Sequence, residues 1–205
     1  MFSLFKIATF ASLAFGTFSF AAPTIGDGFA SLQRRTAAQQ LETILQSSIP
    51  GLVAASQPLY TINSGNATTA TIATITAQIN VQLGALIKNS SVFPKDGTVL
   101  ELDDIDTVAD DLGNIIDTIV KSTYSAYTSL GSSEALLIGL ILTEDGLLAS
   151  LVNEVAGLLT GPTAWLKEQL LNLIGTALLG FPVRDPPLME TLGFNATLRA
   201  SGFTF

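Results

Sequence analysis

The chain has 205 residues, no Cys, no His and a formal net charge of −8, with 48% hydrophobic and only 13% charged side chains. Lacking both residue types, it has no route to a disulfide, a thiol nucleophile, a Ser-His-Asp triad or an imidazole or thiolate zinc site. The scarcity of bases argues against nucleic acid, whose affinity rests on neutralising phosphates with Lys and Arg, and against anionic lipid surfaces.

Lys6 is the only charge before Asp27, and Ile7 to Phe20 is almost continuously apolar. That run is shorter than the roughly 20 residues of a membrane span and fits the apolar core of a signal peptide. Ser19 and Ala21 are small residues at the two positions a signal peptidase reads, so residues 1–21 are expected to be removed after Ala21. A cut one residue later would leave Pro23 immediately downstream; the rival reading is a signal anchor that stays in the membrane. Residues 22–35 form a Gly- and Ala-containing leader ending in Arg34-Arg35, a dibasic pair of the kind a lumenal processing protease recognises. The alternative is a linker merely solubilised by two arginines. Processing there leaves a chain starting at Thr36, with six bases against sixteen carboxylates, a net charge of −10.

From Thr36 onward the apolar spacing reads as helix nearly everywhere. The first helix is expected over Thr36 to Ser48, interrupted at Pro50-Gly51, with a short continuation to Ser56. Ile62 to Asn66 reads as loop. Ile72, Ile75, Ile79, Leu83, Leu86 and Ile87 then form a helical stripe ending near Asn89, despite the many Thr and Ile residues. After the break at Val92 to Thr98, an amphipathic helix from Asp103 carries Ile105, Val108, Leu112, Ile115, Ile116 and Ile119 and ends at Leu130, with Gly131 as its cap. A fourth helix runs from Ser132 or Ser133 to Leu142, kinks at Thr143-Glu144-Asp145, and continues through Leu147 to Leu159. Gly161-Pro162 opens a last helix, with Pro suited to its first position, and Gly180 and Pro182 stop it. Residues 181–205 read as an irregular tail with one turn near Leu188. The fold class is therefore all-α: an antiparallel helical bundle of about five helices over residues 36–180, with no transmembrane span once the signal is removed.

Three N-glycan acceptor triplets fall at expected loops or helix ends: Asn66, Asn89 and Asn195. The acidic stretch Glu101 to Asp111 lacks the glycine and terminal Glu of a calcium loop. It reads instead as a solvated face, with Asp103, Asp106, Asp110 and Asp117 opposite the apolar stripe and the first acids complementing the helix dipole. Leu136 to Leu142 is apolar around its whole circumference, as in a helix buried on all sides or one that meets an apolar surface. Gly84, Gly113, Gly139, Gly146, Gly157 and Gly175 sit inside predicted helices, either for close helix approach or leaving the bundle plastic.

In the order of its parts the chain resembles the fungal hydrophobic-surface-binding and cell-wall galactomannoprotein family. A first amphipathic helix from Leu41 to Ile49 precedes a Gly-containing break and a Thr/Ala-rich helix ending LIKNSS. The entry VLELDDIDTVADDLGNIIDTI and long helices to about Gly180 follow. This chain is richer in Leu and Ile than Ser/Ala-rich members, and its tail has no counterpart. The resemblance implies a non-catalytic helical protein that adsorbs to apolar surfaces or holds lipid at the fungal wall or outside it; no cofactor or metal is expected. The residues themselves place the apolar binding surface on the later helices: Leu136, Leu140, Leu147, Leu151, Val155, Leu158, Trp165, Leu170 and Leu173. The alternatives are a structural wall glycoprotein without a ligand, or a hydrolase using Tyr124, Tyr127 and the acidic helix.

Overall fold

Thr68 ends an extended stretch, and its hydroxyl accepts the Thr71 N–H at 3.1 Å, starting a helix whose apolar residues recur at three and four. This is α2, Thr69–Ser90, and it buries Ile72, Ile75, Ile79, Leu83 and Leu86. In the computed structural model, which describes residues 27–130, 135–179 and 186–203, the other helices are α1 (Asp27–Ser56), α3 (Leu102–Leu130), α4 (Ile138–Ala156), α5 (Ala164–Leu179), α6 (Pro186–Leu192) and α7 (Asn195–Ala200). No strand occurs among the described residues. The chain is an all-α antiparallel helical bundle.

Helix α3 begins as its sequence suggests. Asp104 reaches back to accept the Glu101 N–H at 2.8 Å, half of a capping box, and Asp103 and Asp104 offset the positive end of the helix dipole.

The direction of each helix follows from a few contacts. Gly51 of α1 lies against Gln82 of α2, so the two form a hairpin around residues 57–68. Thr123, late in α3, bonds to Glu144, early in α4. Lys95, just past α2, pairs with Glu154 near the end of α4 at 2.9 Å, and Thr163, just before α5, bonds to the Gly97 carbonyl. Gly175, late in α5, lies near Phe203 beyond α7. The chain reverses at each connection, yet its main packing joins alternate helices: α1 with α3, α2 with α4, α3 with α5. Among consecutive helices of the bundle only α1 and α2 pack extensively. A single core results, with Leu41, Leu45, Leu112, Ile116, Leu151, Val155, Leu170 and Ile174 all excluded from water.

Four boundaries differ from those expected. Helix α1 begins at Asp27 rather than near Thr36, and it continues through Pro50. Leu45 and Leu52, both fully buried, hold it on either side of the proline, which is itself exposed. Helix α4 runs unbroken through Thr143-Glu144-Asp145, and these acids are not a solvated break: Glu144 is fully buried and Asp145 nearly so. The tail is not irregular: it contains α6 and α7, tied together by the Gly193 and Phe194 N–H groups on the Met189 carbonyl.

Candidate functional site

The expected apolar groove on α4 and α5 is core. Leu140, Leu151, Val155, Leu158 and Leu170 are at most 1% exposed, and Leu136, Leu147 and Leu173 pack partly buried against the same cluster. Only Trp165 is open, at 61% exposed. Helix α4 packs against α2 and α7, while Ile138 and Leu142 of its apolar run face solvent at 57% and 65% exposure. The chain's own C-terminal segment, with Met189, Phe194 and Leu198 fully buried, fills the place assigned to a ligand.

Besides Ile138 and Leu142, exposed apolar side chains gather on the first two helices. Between Glu42 and Lys88 the chain has no charged side chain at all, and this stretch folds into the hairpin formed by the second half of α1, the 3-10 turn Gln57–Thr61 and α2. Val53, Tyr60 and Val81 project from it at 43%, 46% and 67% exposure. On α2 the hydroxyls of Thr74 and Thr76 are turned back to the carbonyls of Ala70 and Ile72, at 2.9 and 2.8 Å. A hydroxyl that donates to its own helix has no donor left for water, although its oxygen can still accept. The absence of charge was visible in the sequence, but helical periodicity drew attention only to the inward stripe. At the opposite end of α2, Val92, Leu102 and Trp165 are also exposed, where the chain passes from α2 to α3 and enters α5.

Two acids on α4 do different work. Thr123 donates to Glu144 Oε2 at 2.8 Å, and Oε1 has no hydrogen-bond partner among the described residues. Burial pushes this carboxyl up to about 8, against which the Thr123 bond acts. Asp145 accepts the N–H groups of Ala196 and Thr197 at 2.8 and 2.6 Å, while the Thr197 hydroxyl donates to its carbonyl. Neither role could be read from sequence, where both stood at an expected kink. Next to Asp145 an open cleft of about 720 Å³ separates α4 from α6 and α7, lined by Leu142, Ala149, Asn153, Glu190, Arg199 and Ala200 among others.

On α3, Asp103, Asp106 and Asp110 are exposed as expected, but Asp117 is buried and pairs with Lys121 at 2.7 Å. Asp111 is buried too, and burial raises its carboxyl. Burial likewise raises Glu42 on α1, with Asp104 and Asp111 adding repulsion. Among the described residues no group of acids or other ligands converges into a cation site. Tyr124 and Tyr127 are half-buried against the core.

Of the glycan acceptors, Asn66 is exposed in the α1–α2 connection, Asn89 is half-buried in the last turn of α2, and Asn195 is exposed beside the cleft. Arg34 and Arg35 fall within helix α1, and Ala21 lies outside the described residues. Two segments, Thr69–Ser90 and Ala135–Ala156, are long and apolar enough to cross a membrane, a property they share with core helices of soluble proteins. Compared with known protein families, curated proteins and solved structures, the chain matches none.

Proposed function

We propose that this is a secreted, non-catalytic, glycosylated helical protein that adsorbs to apolar surfaces or long-chain lipid through the α1–α2 hairpin. The observation that carries the reading is the uncharged stretch from Thr43 to Ile87, folded into one hairpin with Val53, Tyr60 and Val81 in water. Charged groups resist transfer to an apolar phase far more strongly than hydroxyls and amides do. A surface without them, studded with large apolar side chains, loses little on contact with wax, polyester or an air–water boundary. Burying one exposed valine contributes about 1.5–3 kcal/mol at most, so a few such contacts suffice for reversible adsorption without opening the bundle. The signal-like N-terminus and the three acceptor triplets support the secretory part of this reading. A cut after Arg35 spares the described core residues of α1, which begin at Ala38.

The test is depletion of the protein from solution by hydrophobic beads or fatty-acid-coated particles. Val53→Asp and Val81→Asp should each lower the bound fraction severalfold while changing stability by no more than about 0.5 kcal/mol, since both positions are exposed. Leu142→Asp, an exposed position outside the hairpin, should leave adsorption unchanged. Equal loss in all three variants, or no adsorption by the parent chain, would sink the assignment to the hairpin.

A further inference from the structure

We propose that Asn195 carries an N-glycan whose first sugars lie in the cleft between α4 and α7; this rests on the secretory part of the reading above. Asn195 is exposed on the rim of that cleft. The cleft, about 720 Å³, falls within the roughly 300–1,000 Å³ range of small-molecule sites. Its lining combines apolar side chains (Leu142, Ala149, Ala200) with polar ones (Asn153, Glu190, Arg199). A pyranose presents C–H groups on its faces and hydroxyls around its rim, so this mixed lining suits it better than it suits an acyl chain. The other two acceptors are placed differently: Asn66 lies on a connection with its amide bonded to the Thr61 carbonyl and the Asn63 N–H, and Asn89 is half-buried in a helix.

The same geometry orders the events. Sugar transfer requires the Thr197 hydroxyl of the acceptor triplet, yet in the folded chain that hydroxyl is fully buried and bonded to the Asp145 carbonyl at 3.1 Å. Transfer therefore precedes the docking of α7 on α4. The donor is a lipid-linked glycosyl pyrophosphate. The Asn195 Nδ2–C1 bond forms as the C1–O bond to pyrophosphate breaks, the lipid pyrophosphate departs, and an amide proton goes to solvent.

The experiment expresses the full chain in a glycosylating secretory host, once behind its own leader and once behind a leader of established function. Site occupancy is read by mass spectrometry. The rate at which an N-glycosidase releases the Asn195 glycan is then compared in the native parent and in a native Asn153→Ala/Arg199→Ala variant, whose changes are both at exposed positions. Expected are an occupied Asn195 and release that is at least about tenfold slower from the parent, because release then requires the sugar to leave its seat. A chain secreted behind the established leader with Asn195 bare, or equal release rates in parent and variant, overturns the inference. Retention of the chain only behind its own leader counts against the secretory reading and leaves the cleft assignment to be decided by the other leader.

Discussion

Glu144 is a carboxyl held near neutrality-to-alkaline titration by burial, pushed up to about 8 from an ordinary 4.5. A folded-state value above the unfolded one means that the folded chain keeps a proton the unfolded chain releases. Below about pH 4.5 both states are protonated and Glu144 has no effect. Between 4.5 and 8 stability falls as pH rises, by at most about 1.4 kcal/mol per unit. Glu42 and Asp111, both raised, act in the same direction. Urea unfolding should therefore give a stability that declines from pH 5 to 8, and Glu144→Gln should flatten most of that decline. A profile unchanged by the substitution would show that Glu144 ionises without cost in the bundle. Asp145 serves the packing of α7, accepting two of that helix's backbone N–H groups. Asp145→Ala should cost about 1–2 kcal/mol and speed amide exchange at Leu198 before it affects the core of α3.

The element whose composition and environment disagree most is α4. Gly139 and Gly146 lie within it, and a Cβ added at either would meet nothing within 4 Å. These glycines do not serve close helix approach, unlike Gly51 against Gln82. Each weakens the helix by about 1 kcal/mol relative to Ala. Gly139→Ala and Gly146→Ala should accordingly raise the unfolding free energy by up to that amount each, and additively, since a buried clash is absent. If either substitution destabilises the protein, the outer face of α4 is less open than described. Gly97 is the contrasting case. Its φ of 74° and the Thr160 carbonyl beside it admit no side chain, which holds the α2–α3 connection against the end of α4.

For the whole molecule, the arrangement of cover matters more than the number of apolar residues. Helix α4 faces α2 on one side and α7 on the other, so the bundle is closed only when the C-terminal segment is in place. A chain ending at Leu179 should keep most of its helicity, bind a hydrophobic dye strongly and self-associate, because α4 loses the α7 helix packed against it and Ile141 loses the Gly193 turn beside it. Circular dichroism with dye fluorescence and light scattering would measure this. A truncated chain that stays monomeric and dark would mean that α6 and α7 are accessory.

The all-α class, the positions of α2, α3 and α5, and the inward stripes of Ile72–Leu86 and Ile105–Val120 were determined by sequence alone, because helical period and burial coincide there. The uncharged run from Thr43 to Ile87 was equally legible, although only its fold into a hairpin made it a surface. Tertiary structure decided the rest. Pro50 remains helical because buried leucines on both sides outweigh a local preference. Glu144 and Asp145 continue α4 because partners distant in sequence, Thr123 and the start of α7, receive them. The apolar residues from Leu140 to Leu170 form core rather than a groove because α2 and the short α7 pack on α4 while α3 packs on α5. Local spacing can show that a face is apolar, but what covers that face is settled by contacts between residues far apart in the chain.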